Sequence, residues 1–130
     1  MSTLKVGTIK SASSAAPVIQ NSSGTEKGQF IAAWMNYDGT NNTLRDDFNV
    51  STVSDNATGN FTVNFSNSFA NSNYCVASIG SRTSTSEFLR FPSYTNGDTY
   101  STSAFQMRCV KDSDTGSFDR PYNFLMFIGA

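Results

Sequence analysis

The sequence predicts an all-β protein: an antiparallel β-sandwich head, jelly-roll-like, that follows an extended N-terminal arm. Residues 61–65 alternate strictly between apolar and polar side chains, which is the period of a strand with one buried face. Clusters of Asn, Asp, Ser and Gly recur about every 8–12 residues, a spacing typical of short antiparallel strands. The 11 Phe among 130 residues supply a core, and we expect about eight strands around it.

The composition indicates one domain with a neutral polar surface. Only 15% of the residues are charged, against roughly 25% in an average soluble domain. Ser, Thr, Asn and Gly must therefore keep the protein in solution. A surface of this kind tolerates close contact, so it suits an assembly subunit or a secreted module better than a cytosolic enzyme.

Residues 1–20 are interpreted as an extended arm, and residues 21–28 as a turn-rich connector to the head at 29–130. The alternative is a frayed terminus. If extended, twenty residues reach about 65 Å, enough to cross a neighbouring subunit. The apolar side chains expected to anchor the arm on that neighbour are Leu4, Val6, Ile9, Val18 and Ile19.

The head is predicted to begin with a strand at residues 29–37. Both of its faces are apolar, so it is buried on both sides, or buried on one and covered by a neighbouring subunit on the other. Residues 38–42 are read as a hairpin-type turn and residues 43–47 as a short bridge. Residues 48–79 are predicted to form a three-stranded meander, with turns at 54–60 and 67–73.

The second half of the head is less regular. We predict a strand at residues 87–92, ended by Pro92, and another at 103–110, with a charged loop at 111–120 between it and the last strand. The continuous apolar run at 124–128 indicates a central strand in the core.

Candidate chemistry is sparse. The chain has no His, and most acidic residues fall in turns, where Asp is favoured for its bonds to nearby amides. Asp46 and Asp47 are adjacent and would point to opposite faces of a strand, so we expect no catalytic pair. Asp112 and Asp114 resemble the start of a calcium loop, but no closing Glu follows, and a solvated loop is the better interpretation. No cofactor is expected.

Partners and location are constrained by charge and hydropathy. A net charge of −1 with scattered Lys and Arg argues against nucleic acid. No segment is apolar enough to insert into a membrane, and the N-terminus lacks a secretory signal. We therefore expect the chain to stay in the cytoplasm where it is made, or to leave it by lysis.

The sulfur and aromatic residues leave two questions open. Cys75 and Cys109 each sit in an apolar strand-like segment, where buried free thiols that act as small hydrophobic side chains are favoured over a disulfide. Tyr94 and Tyr100 flank a flexible loop and could stack on carbohydrate, although packing is the more common role of Tyr.

Three segments give the chain a family resemblance: MSTLKVGTIKS, FIAAWMNYDGT and LRDDFNVSTVSDNATGNFTVNFSNSFANSNYCV. The chain resembles a family of virion proteins from tailed phages of marine bacteria and cyanobacteria, described as tail-fibre-like. That family has the motifs AWxNFDGT, RxxFNVSSxTDNGTGxYTVNF and PxANYxV after an STLKVxTI strand.

The match is specific in the second motif and covers about the first two-thirds of the chain. The family's Pro in the third motif is absent here, and nothing after Gly80 matches. The residues in common are Trp34, Asn36, Tyr37, Gly39 and Thr40; Arg45, Phe48, Asn49, Val50, Ser51, Asp55, Asn56, Thr58, Gly59, Val63, Asn64 and Phe65; and Asn73, Tyr74 and Val76.

The resemblance implies a structural virion protein, a homotrimer assembled in the host cytoplasm with other virion proteins and released by lysis. As a tail-fibre or spike-like subunit it would anchor by its arm and meet a host-surface glycan or protein. The alternatives are a capsid decoration protein that stabilises the head shell and a carbohydrate-binding module. The loop residues placed toward the host are Tyr94, Tyr100, Asp112, Asp114 and Phe118.

Overall fold

The structure, a computed structural model, describes residues 6–9, 18–81, 98–110 and 116–129. These residues contain nine strands and no helix, so none of the described segments is a helix able to cross a membrane. Every strand pairing is antiparallel, which confirms the all-β antiparallel prediction. The strands are β1 (Val18–Gln20), β2 (Glu26–Gln29), β3 (Ile31–Asp38), β4 (Thr43–Phe48), β5 (Val50–Ala57), β6 (Asn60–Phe65), β7 (Cys75–Gly80), β8 (Ala104–Arg108) and β9 (Asn123–Ile128).

The strands form two larger sheets and one hairpin. The four-stranded sheet has the order β4-β3-β9-β7, and the three-stranded sheet has the order β5-β6-β8. Inward side chains of both sheets meet in one buried cluster, where Tyr37 of β3 lies edge-on to Phe61 of β6 with ring centroids 5.1 Å apart. The last strand, β9, lies between β3 and β7, which confirms its predicted central position.

The strand predicted at residues 61–65 is β6, and its alternation has the expected cause. Phe61, Val63 and Phe65 are buried, while the polar residues between them face outward. The turn before it is much shorter than predicted, because β5 continues to Ala57. Gly59 makes this tight turn at φ 65°, and a Cβ there would lie 2.7 Å from the carbonyl oxygen of Cys109.

The predicted meander is wrong at its third strand. After β6 the chain crosses to the other sheet, where β7 pairs with β9 and not with β6. The connection carries Phe69 and Tyr74, which are both buried and lie against Phe127 of β9. Burying these rings draws the chain across the core, and an alternation pattern cannot report which sheet a strand joins.

The predicted bridge at residues 43–47 is also wrong, because these residues form β4 and pair with β3. The strand escaped prediction since it is an outer strand among those described, and only Leu44 of its middle residues packs on the core. The strand predicted at 103–110 is shorter, at Ala104–Arg108, and the one predicted at 87–92 lies outside the described residues.

Residues 18–29 form an antiparallel hairpin, β1–β2, where the sequence suggested the end of the arm and a connector. The side chain of Asn21 closes its turn by accepting bonds from the amides of Ser23 and Thr25, at 3.1 and 2.8 Å. Of the five arm residues, Val6, Ile9 and Ile19 are exposed and Val18 lies in β1, while Leu4 falls outside the described residues.

A buried polar cluster joins the ends of the four-stranded sheet. Arg120 and Asn123 are both fully buried, and the Arg120 guanidinium donates to the Ser81 carbonyl at 2.6 Å. The Asn123 side-chain amide donates to the carbonyls of Tyr37 and Arg120, at 3.3 and 2.9 Å. Gly39 donates its amide to Arg120 O at 2.8 Å, so the ends of β3, β7 and β9 are held together.

Both cysteines are free thiols, as favoured, but the expected burial is confirmed only for Cys109 and is wrong for Cys75, which lies near the start of β7 with its side chain outward. Cys75 is exposed, whereas Cys109 is buried and donates to Asn123 Oδ1 at 3.4 Å. Burial raises the pKa of the Cys109 thiol to about 11. Burial, with the nearby charges of Asp55, Asp119 and Asp38, raises the pKa of the Tyr37 phenol to about 12.

Phe127 is the residue on which the core converges. It is fully buried, and its ring centroid lies within 6.3 Å of four others, which come from the three-stranded sheet and from the connection between the sheets: Phe65, Phe69, Tyr74 and Phe105. We expect Phe127→Ala to lower the free energy of unfolding by about 3–5 kcal/mol in urea denaturation. The matched control is Phe124→Ala, on the exposed face of the same strand, which should cost about 1 kcal/mol or less in dilute solution. Equal losses in the two variants would contradict this account of the core.

The buried thiol makes the fold sensitive to alkaline pH. Between pH 9 and 11 the folded Cys109 keeps its proton while the unfolded thiol, with its ordinary pKa of 9.0, has lost it. Stability from this group is therefore complete below about pH 9 and declines as pH rises, by about 2–3 kcal/mol at pH 11. Urea midpoints measured from pH 8 to 11 should fall less steeply in Cys109→Ala than in the wild type. Parallel pH profiles would show that this thiol does not contribute.

Candidate functional site

The two sheets turn opposite kinds of surface outward. On the three-stranded sheet the outward side chains are polar and bond one another along and across the strands. Asn56 donates to Thr62 Oγ1 at 2.8 Å and Asn64 donates to Thr52 Oγ1 at 3.1 Å. Gln106 extends the ladder from β8 by donating to Asn60 Oδ1 at 2.8 Å. This outer face meets its own hydrogen-bonding needs and suits contact with water.

The four-stranded sheet presents an apolar surface instead, here called the outer apolar face. Its register brings side chains of all four strands into adjacent rows, with Trp34 paired to Phe48 on one side and to Met126 on the other. In the next row Phe124 pairs with Ile79. The outer apolar face consists of Trp34, Phe48, Ala77, Ile79, Tyr122, Phe124 and Met126.

The exposure of these residues is high for their size. Phe48 and Ile79 are 53% and 54% exposed, and Phe124 and Met126 are 40% and 37% exposed. At roughly 200 Å² per large side chain, these four and Tyr122 present on the order of 450 Å². Apolar patches of about 300–600 Å² are the largest on typical monomers and are often functional.

A shallow groove of about 450 Å³ runs across the face between β3, β9 and β7. Three polar residues line it: Asn36 of β3 and Asp46 of β4, which are paired across the strands, and Ser78 of β7. The Oδ1 atom of Asn36 is buried and has no hydrogen-bond partner among the described residues. Because a buried acceptor without a partner is costly, this amide is the one feature of the face that its own fold leaves unsatisfied.

Arg45 fixes one rim of the face. Its guanidinium bonds the Asp38 carboxylate and the Pro121 carbonyl, and lies over the Tyr122 ring at 4.3 Å from the centroid. Tyr122 in turn stacks on Phe124 with a 14° angle between the rings. The charge of Arg45 is therefore neutralised within the chain, and two aromatic rings are held in place.

Hydrogen bonds within its own turn keep the Asp38 carboxyl ionised for the ion pair with Arg45. The Asn41 side-chain amide donates to Asp38 Oδ2 at 3.0 Å and, with the backbone amide of Asn41 and the charge of Arg45, lowers the pKa of the Asp38 carboxyl. The carboxylate stays ionised, so the ion pair with Arg45 is present across the neutral pH range.

Only some of the loop residues predicted to meet a host surface lie among the residues that the structure describes. Tyr94, Asp112 and Asp114 lie outside the described residues. Tyr100 is half-buried, stacks on Tyr74 at 4.5 Å between centroids, and donates its hydroxyl to the Tyr74 carbonyl. Phe118 is half-buried under the guanidinium of Arg120, at 4.4 Å. The structure does not bring Tyr100 or Phe118 to the outer apolar face.

Sequence reasoning did not assemble this face, although two of its signals were visible. The apolar character of both faces of residues 29–37 suggested cover by a neighbouring subunit, and residues 124–128 are apolar throughout. Pairing of β3 with β9 places these two outward rows side by side. The contributions of Phe48, Ile79 and Tyr122 follow only from the register, which the sequence does not reveal.

The described residues contain no group of three or more His, Cys, Asp or Glu side chains that could hold a metal ion. What the outer apolar face offers is apolar burial around one unsatisfied amide, with an aromatic rim.

Comparison of the chain with protein-family models, curated protein sequences and solved structures found no match.

Proposed function

We propose that this chain is a structural subunit of a bacteriophage particle, present in the virion as a homotrimer that packs against its copies and other virion proteins and performs no catalysis. The observation that carries the proposal is the contrast between the two outer faces: one is a self-satisfied polar ladder, the other an apolar surface of the four-stranded sheet. Surfaces of the second kind mark association sites.

The positions of the family-like motifs support this assignment. In the second motif, Thr58 and Gly59 make the turn between β5 and β6. Only glycine fits at position 59. In the first motif, Gly39 approaches the Arg120 carbonyl so closely that a Cβ would lie 3.0 Å from it. The motif residues therefore serve folding, as expected of a motif that conserves architecture and leaves recognition to other parts.

The finer architecture belongs to the same proposal. Two antiparallel sheets that share one core support a β-sandwich, and the crossing from β6 to β7 is compatible with jelly-roll-like connections. Residues 1–17 form the attachment arm ahead of the β1–β2 hairpin. In the tail-fibre or spike-like arrangement, the residues that would meet a host-surface glycan or protein are Tyr94, Tyr100, Asp112, Asp114 and Phe118, of which Tyr94, Asp112 and Asp114 lie outside the described residues.

A capsid decoration protein is the second candidate. The described strands all belong to short sheets, and none of the described segments has the form of a fibre shaft. Antibody labelling of virions separates the candidates, because a shell protein labels the whole head and a fibre labels only the tail. Copy number from quantitative gels gives an independent answer, since a shell clamp is present in hundreds and a fibre in tens of copies. Absence from purified virions would overturn both.

The arm gives a separable prediction. Deleting residues 1–17 spares the β1–β2 hairpin and every described strand. We expect the truncated protein to keep the circular dichroism spectrum and thermal midpoint of the full chain, yet to be lost from phage particles when it replaces the full chain during infection. Full-length protein supplied in the same way is the control. Normal incorporation of the truncated protein would refute the arm.

A further inference from the structure

We propose that copies of this chain associate through the outer apolar face. This inference rests on the proposed assembly function and names the surface that assembly uses. Its occupant is a second copy of the same chain, with the outer apolar face of each subunit turned toward the symmetry axis.

The outward faces of the two sheets differ in polarity although one chain makes both. Outward positions of β5, β6 and β8 are Asn, Thr, Ser or Gln in most rows, so this sequence is able to build a solvated sheet face. Outward positions of β3, β9 and β7 are mostly apolar, with Trp34, Met126, Phe124, Ile79 and Ala77 beside the polar Asn36. The apolar choice on one face alone indicates that this face is covered in the assembled state.

The outer apolar face is large enough for a specific contact between two copies. Each copy contributes on the order of 450 Å² from its five large exposed side chains, so two facing copies bury roughly 900 Å² before Trp34, Ala77 and the rim are counted. Specific interfaces begin at about 1,000–1,200 Å² in total. The outer apolar face therefore has about the area that a small specific assembly needs.

The charge and composition of the outer apolar face favour a second copy of this chain over a foreign partner. Arg45 is neutralised by Asp38, and Asp46 is the remaining carboxylate on the described part of the groove. Such a face offers little to a strongly charged partner. Its Trp, Tyr, Phe and Met are the residues enriched at the cores of protein interfaces, with Arg beside them.

The experiment is sedimentation equilibrium of the full chain with two Lys substitutions. Ile79→Lys places a charge on the outer apolar face, and Ser54→Lys places the same charge on the exposed outer face of the other sheet. We expect the wild type and Ser54→Lys to form the same oligomer with dissociation constants within about twofold. Ile79→Lys should weaken association about 100-fold, because its ammonium group would have to be desolvated.

Methionine oxidation provides a readout that needs no folded variant. Met126 is exposed on the outer apolar face, whereas Met35 and Met107 are buried in the core and serve as references within the same chain. Peroxide oxidation of Met126 should slow about tenfold as the protein concentration rises through the dissociation constant, with the two references unchanged.

Three results would overturn the proposal. A wild-type chain that is monomeric at millimolar concentration removes self-association, while virion labelling still tests the proposed function separately. An oligomer unaffected by Ile79→Lys places the contact elsewhere. Slow oxidation of Met126 at every concentration, including that of the monomer, means that residues of the same chain cover the face.

Discussion

The fold depends on one buried aromatic cluster, in which rings of the three-stranded sheet and of the connection between the sheets pack on Phe127 of the four-stranded sheet. The rings of Phe65 and Phe105 lie 5.0 and 5.5 Å from the Phe127 ring, between centroids and at steep interplanar angles. Edge-to-face geometry of this kind adds to the burial of apolar area. Inward residues of both sheets belong to the same buried cluster, so this packing joins the sheets.

Packing at the same centre explains the path of the chain. Phe69 and Tyr74 sit in the connection between β6 and β7, and both contribute rings to the cluster around Phe127. A hairpin from β6 straight into the next strand would leave these rings in solvent. The crossing between sheets is thus a consequence of apolar burial, with the buried Arg120 and Asn123 closing the far end by hydrogen bonds.

The sequence predicted local features well where one residue pattern decides them. Alternation located β6, and the apolar runs located β3 and β9, because side-chain period and burial are local properties. It did not predict that β7 leaves the meander, since strand partners are set by contacts far apart in the chain. The sequence also did not predict β4, because its Arg45, Asp46 and Asp47 give no apolar pattern. This strand is stabilised by pairing with β3. The outer apolar face was out of reach for the same reason, as its rows exist only once the register is known.

The central place of β9 has a consequence for how the molecule is made. Among the described strands, β3 and β7 have no pairing with each other and are joined only through residues 123–128. During synthesis β3 leaves the ribosome about 90 residues before its partner, so its edge must wait unpaired. Such distant pairings slow folding. The scarcity of charge makes that waiting period the stage at which nascent chains are most exposed to aggregation, and at which help from a chaperone would matter most.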